Sequence, residues 1–102
     1  MPPRVRLTDD EAQHLPPLLD FRPPNANTFQ DCSTTDQRVL WVLGAYRSVI
    51  KQQPLTAALI TLLIFKHGPN IALRTVRAAL SDALASGTIR ETDGGYVLLT
   101  TG

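Results

Sequence analysis

The clearest periodic pattern of the chain lies in residues 70–86. Apolar residues recur there at spacings of three and four, which predicts an amphipathic helix with one apolar face. The apolar positions are Leu73, Val76, Leu80 and Leu84, with Ala83 beside them. A second, polar face carries Asn70, Arg74, Arg77 and Ser81. Gly87 follows the last periodic residue and suits the left-handed conformation that ends many helices.

The residues after this helix predict a β-hairpin. Two β-prone runs, 88–92 and 96–100, are separated by Asp-Gly-Gly, and Asp-Gly favours tight two-residue turns. A loop at Asp93-Gly94 places Ile89 opposite Leu98 and Glu91 opposite Tyr96. A loop at Gly94-Gly95 shifts the pairing and exchanges the two faces. We favour the first register.

Two further helices are predicted upstream. Residues 55–66 are apolar nearly all round, which is typical of a buried helix, and Pro54 suits its first turn. Gly68 is expected to end this helix, and Asn70 is the expected N-cap of the next helix. Residues 36–52 form a longer helix with one apolar stripe. The stripe comprises Val39, Val42, Leu43, Tyr46, Val49 and Ile50.

Leu40 and Trp41 lie off this stripe, and two interpretations are open. Both residues are either buried against the N-terminal segment or form a dimer contact, since exposed aromatic side chains mark interfaces.

The N-terminal part, residues 1–35, is predicted as an arm with a short helix and a proline-rich segment. Thr8 and Glu11 match a capping box, and the helix is expected to end after about two turns, before Pro16-Pro17. Apolar residues in the following stretch argue against a disordered tail and require an apolar surface. They are Leu15, Leu18, Leu19, Phe21 and Phe29. Residues 36–102 are expected to form the folded domain.

Charge is unevenly distributed along the chain. The formal net charge is +1, but residues 1–36 carry a net charge of −3 and residues 37–102 a net charge of +4. A basic C-terminal part is compatible with nucleic-acid binding. The single cysteine, Cys32, excludes an internal disulfide and favours a cytoplasmic protein. No signal peptide or membrane-spanning run is predicted.

The last half of the chain resembles a winged helix-turn-helix domain. The residues that carry the resemblance are Arg74-Thr75-Val76-Arg77-Ala78-Ala79-Leu80, Gly87-Thr88-Ile89 and Gly94-Gly95-Tyr96-Val97. They are similar to the recognition helix and wing of the gluconate-repressor family of bacterial transcriptional regulators. The resemblance implies an α+β fold, mainly helical, with a two-stranded C-terminal wing. It also implies sequence-specific binding of double-stranded DNA by a homodimer.

Several residues are candidates for DNA contact. A helix fits the major groove, and arginine can donate two hydrogen bonds to guanine. The alternative for these residues is a solvated helix face. The candidates are Lys66, Asn70, Arg74, Thr75, Arg77, Ser81 and, on the wing, Arg90.

An enzyme is not predicted. His14, Cys32 and His67 lack the spacing of a nucleophile or a metal site, so no cofactor and no metal are expected. The alternative function is a winged helix that serves as a protein–protein interaction module within a larger assembly. A protein partner would then bind the N-terminal segment.

Overall fold

The computed structural model of the chain describes residues 5–23, 26–46, 55–92 and 95–99. These residues form a mainly helical α+β fold, which confirms the predicted fold class. The elements are α1 (Asp9–Asp20), a 3-10 helix (Ala26–Asp31), α2 (Thr35–Ala45), α3 (Ala57–Lys66), α4 (Leu73–Ser86), β1 (Ile89–Thr92) and β2 (Gly95–Leu98).

Capping boxes begin the first two α-helices. The Thr8 hydroxyl accepts a hydrogen bond from the Glu11 amide, and the Glu11 carboxylate accepts one from the Thr8 amide, which confirms the prediction for α1. Thr34 and Gln37 form the same reciprocal pair at the start of α2. The predicted continuation of α2 to residue 52 is wrong, because the helix ends at Ala45 and Tyr46 is its C-cap. Val49 and Ile50, the last two residues of the predicted stripe, lie outside the described residues.

The predicted end of α1 before the proline pair is wrong. Pro16 and Pro17 lie inside the helix, which continues to Asp20. Both prolines are exposed, so the carbonyl groups that lose their amide partners lie on the solvent side. Leu18 is buried in the core, and the Phe21 amide donates to the Pro17 carbonyl at 3.1 Å. These contacts hold the last turn in place.

Helix α3 begins two residues later than predicted. Thr56 is its N-cap, and its hydroxyl accepts from the Leu59 amide at 3.2 Å. Leu55 instead forms an antiparallel bridge with Tyr96, whose amide donates to the Leu55 carbonyl at 2.8 Å. The hairpin therefore has an additional pairing on its β2 edge. The predicted burial of the helix is confirmed, since most of its apolar residues are in the core.

Helix α4 also begins later than predicted, at Leu73, with Ala72 as an N-cap that makes no side-chain hydrogen bond. The expectation that Asn70 caps the helix is wrong. Residues 70–72 lie outside the helix, and Ile71 packs against the core. The gain from this apolar contact outweighs the missing cap, which is worth about 1 kcal/mol. The predicted end is confirmed, because Gly87 has φ 79°.

The hairpin has the register that we favoured. Ile89 pairs with Leu98 and Glu91 pairs with Tyr96, and the innermost pair is Thr92 with Gly95.

One apolar core joins α1, the 3-10 helix, α2, α3, α4 and β1. Leu18 and Phe29 of the N-terminal part belong to it. Helix α4 packs against α2 and α3, and this packing determines which side of α4 faces solvent. Among the described helices, none is both long and apolar enough to cross a lipid bilayer.

Candidate nucleic-acid interface

Helix α4 presents a polar face to solvent. It buries Val76, Ala79 and Leu80 against the core. On the opposite side, the predicted contact residues are all exposed: Arg74, Thr75, Arg77 and Ser81. The structure therefore places three of the seven predicted DNA-contact residues, Arg74, Arg77 and Ser81, on one accessible face, while Thr75 is exposed about 100° around the helix from Arg74. Within the part of the chain that the structure describes, these side chains are accessible to solvent.

The three residues of this face are not equivalent. Arg74 and Ser81 are seven residues apart, so they lie two turns apart on nearly the same line along the helix. Arg77 is rotated from this line toward the hairpin, and it lines a cleft with residues of the hairpin. Arg74 is exposed and is not among the residues that line this cleft.

The cleft between α4, the hairpin and the first turn of α3 is open, with a volume of 470 Å³. Its walls combine a cation, a carboxylate, a phenol and two hydroxyl groups. The lining residues are Thr56, Ala57, Arg77, Glu91, Thr92, Gly95 and Tyr96. Of these, only Arg77 was a candidate from the sequence.

Glu91 and Tyr96 form a polar pair in this cleft. They are directly opposite each other across the two strands. Burial raises the pKa of the Tyr96 hydroxyl, and the charge and hydrogen bond of the Glu91 carboxylate raise it further. The nearby Arg77 guanidinium acts in the opposite direction on the same pKa. The Tyr96 phenol therefore stays protonated, with the Glu91 carboxylate and the Arg77 guanidinium both within electrostatic range.

Arg90 lies on the other face of the hairpin. It pairs with Val97 and is exposed, while its neighbour Ile89 is buried. Alternation along the strand thus places Arg90 on the side opposite to Ile89, as the sequence predicts.

Lys66 and Asn70 are placed differently from the α4 residues. The Lys66 ammonium group donates to the Phe21 carbonyl at 2.8 Å and lies 5.9 Å from the centre of the Tyr46 ring. Burial, followed by the charge of Arg22, lowers the pKa of Lys66. This amine is therefore bound to the N-terminal segment. Asn70 is exposed and precedes α4.

Trp41 belongs to an aromatic cluster formed within a single copy of the protein. Its ring centre lies 4.9 Å from that of Phe29 and 4.9 Å from that of His67. Its indole N–H donates to the Thr28 hydroxyl at 2.8 Å. These contacts correspond to the first of the two interpretations, burial against the N-terminal segment. A role of Leu40 and Trp41 in a dimer stays a prediction.

His67 is part of the same cluster and ends α3. Its Nε2 atom lies 2.9 Å from the Tyr46 hydroxyl. Burial raises the pKa of Tyr46 to about 12, so this hydroxyl stays protonated and can donate to a neutral imidazole. Burial, and then the charge of Lys66, lowers the pKa of His67. The described residues include no group of three or more side chains arranged to hold a metal ion.

A second, smaller groove runs along the other flank of α4. It lies between α2 and α4 and has a volume of 280 Å³. Asp36 and Asp82 provide its acidic groups, and Leu40 and Ala83 provide an apolar surface. The two flanks of α4 therefore differ in charge: Arg77 lies on the hairpin side and Asp82 on the α2 side.

Comparisons with protein-family models, with curated proteins and with solved structures find no match to this chain. Sequence reasoning overlooked Glu91 and Tyr96 as members of the site. The hairpin register that it predicted already paired these two residues, and a charged residue beside an aromatic one near a basic helix was the available signal.

Proposed function

We propose that this protein is a winged helix-turn-helix domain that binds double-stranded DNA as a small transcriptional regulator or accessory factor. Helix α4 is the recognition helix, and β1 and β2 form the wing. The order of elements supports this fold. Among the described residues, helix α2 precedes a bridging residue (Leu55), two helices (α3 and α4) and a hairpin that pairs with the bridging residue.

One observation carries the proposal: the exposed arginines at the N-terminal half of α4, next to the hairpin. Helix α4 has 14 residues, so it is about 21 Å long and fits the major groove. The N-terminal part of a recognition helix commonly contacts base edges, which supports this role for the exposed residues Arg74 and Thr75, and Arg77 lines the cleft beside the hairpin. Arg90 is exposed on the other face of the hairpin and adds a separate basic group to the wing.

A homodimer is part of the proposal, because a single recognition helix contacts few bases and a dimer contacts two half-sites. Trp41 is engaged within the chain, whereas Leu40 lines the open α2–α4 groove. Leu40 is thus the better candidate for a contact with a second copy. The proposed function implies a cytoplasmic location, on the nucleoid in a bacterium.

The test is fluorescence anisotropy with mixed-sequence duplex DNA at about 50 and about 200 mM salt. Binding through several phosphates should weaken by orders of magnitude between these two concentrations. The double variant Arg74→Ala, Arg77→Ala should lose binding but keep its circular dichroism spectrum and melting temperature. A matched control removes the same charge from the N-terminal segment, as Arg6→Ala, Arg22→Ala, and should bind within a few-fold of the unmodified protein.

The second candidate function is a protein–protein interaction module. The α2–α4 groove favours it, because Asp36 and Asp82 beside an apolar surface repel DNA and suit a basic, partly apolar protein segment. Absence of DNA binding at the lower salt concentration would favour this candidate over DNA binding. Equal binding by the double variant would instead refute the role of Arg74 and Arg77 in DNA contact.

A further inference from the structure

The cleft beside α4 contains a negative charge in a surface that is proposed to bind a polyanion. Glu91 is exposed on β1, and its side chain lies on the same wall as Tyr96. Arg77 lies on the opposite wall, on α4. Because DNA phosphates are repelled by carboxylates, Glu91 weakens general binding to the DNA backbone at this position. Glu91 nevertheless lies across the cleft from Arg77, an arginine of the proposed recognition helix.

The geometry of the cleft gives Glu91 a role toward Arg77. Glu91 is paired directly with Tyr96 across the two strands, and both residues line the cleft on its hairpin side. The Glu91 carboxylate on this side of the cleft attracts the Arg77 guanidinium on the α4 side, which favours those directions of the long arginine side chain that lead toward the cleft. Thr56 and Ala57 close the cleft on the third side. Arg74 has no corresponding acidic neighbour among the residues that line this cleft.

We propose that Glu91 is a positioning residue for Arg77: it holds the guanidinium at the wing side of α4 and keeps DNA phosphate out of the cleft. Arg77 then contributes to contacts with a particular base sequence rather than to general phosphate binding. Glu91 thereby increases the ratio of specific to non-specific affinity, while it lowers the affinity for DNA of arbitrary sequence. This inference rests on the proposed DNA-binding function.

The test is a double-mutant cycle on the full chain, with mixed-sequence duplex DNA as the probe and binding measured at several salt concentrations. Glu91→Gln should strengthen binding about 3- to 10-fold near 50 mM salt, because the released Arg77 engages a phosphate. The slope of log affinity against log salt should steepen by about 0.9, the value for one additional phosphate contact. A residue with a merely structural role would not change this slope.

The cycle isolates the role of Arg77. In the Arg77→Ala background, Glu91→Gln should leave the salt slope unchanged, because no guanidinium is released. Glu91→Asp should keep the slope of the unmodified protein. Asp82→Asn, on the other flank of α4, removes the same charge and controls for general electrostatics. On a duplex selected for tight binding, Glu91→Gln should lower the ratio of specific to non-specific affinity.

The outcomes separate this inference from the proposed function. If the unmodified protein binds DNA but Glu91→Gln leaves the salt slope unchanged, or changes it equally in the Arg77→Ala background, the positioning role is refuted and DNA binding stands. If Asp82→Asn steepens the slope as much as Glu91→Gln, a general charge effect replaces the positioning role. If the unmodified protein binds no DNA, both proposals are wrong.

Discussion

Phe29 offers a direct test of whether the N-terminal segment is an integral part of the folded domain. Its side chain is only 3% exposed although it lies in a proline-rich stretch before α2. The ring contacts Trp41 and His67, with centre distances of 4.9 and 5.2 Å. Phe29→Ala removes a buried ring that joins the 3-10 helix to α2 and to the end of α3.

The expected cost is large relative to the stability of a small domain. Truncation of a buried phenylalanine to alanine costs about 3–5 kcal/mol, because apolar contacts are lost and a cavity remains. Domains of this size have free energies of unfolding of about 5–15 kcal/mol. Leu19→Ala is a matched control in the same segment. Leu19 is 41% exposed, and this change should alter the free energy of unfolding by no more than about 0.5 kcal/mol.

Urea unfolding measures this cost with two independent signals. Trp41 is the only tryptophan of the chain and contacts Phe29, so its fluorescence reports on this cluster. Far-UV circular dichroism reports on all helices. Coincident transitions would show that the N-terminal segment and the helices unfold as one unit. If Phe29→Ala unfolds the protein without urea, Phe29→Leu should give a measurable transition at lower urea than the unmodified protein.

Two results would refute this account. A cost for Phe29→Ala no larger than that for Leu19→Ala would mean that the segment does not contribute to the core. A fluorescence transition that precedes the circular dichroism transition would mean that the aromatic cluster opens separately from the helices.

Two further predictions concern pH and the backbone. Because burial lowers the pKa of His67 below 6.5, the folded state binds this proton more weakly than the unfolded state, so the free energy of unfolding should fall as pH drops from about 7.5 to about 5. His67→Gln should reduce this pH dependence of the free energy of unfolding, measured by urea titration. An unchanged pH dependence would mean that His67 is not its cause. Gly87→Ala should cost about 1–2 kcal/mol, because φ 79° is unfavourable for a residue with a Cβ atom. Gly44→Ala inside α2 should instead stabilise the protein by about 0.5–1 kcal/mol, because alanine favours a helix more than glycine does and the added Cβ atom would lie at an ordinary contact distance of 3.6 Å from the Leu98 side chain. Thermal unfolding measures both changes. Equal destabilisation by Gly87→Ala and Gly44→Ala would contradict this conformational argument.

Local patterns sufficed for much of the fold. The capping box at Thr8, the end of α4 at Gly87 and the hairpin register all follow from interactions within a few residues. The exposed face of α4 follows as well, because a strong apolar stripe determines which side of a helix is buried. These features are encoded by periodicity, caps and turn residues, so the sequence alone predicted them.

The errors have a common cause in contacts between distant residues. Helix α1 continues through Pro16 and Pro17 because Leu18 is buried, and α4 begins after Asn70 because Ile71 packs on the core. Proline and cap preferences are worth only a few kcal/mol. Burial of an apolar side chain is of similar size and depends on which surface is nearby, so tertiary packing can override the local preference.

The sequence by itself determined that α4 has a basic face opposite its apolar face, and it favoured the register that pairs Glu91 with Tyr96, which the structure confirms. Only the tertiary structure decided that Arg77, rather than Arg74, shares a cleft with this pair, and that the Lys66 amine is bound to the Phe21 carbonyl. The reason is geometric. The direction of a side chain along its own helix follows from the helical period, but its neighbours depend on how separate elements pack, and that is set by the whole core.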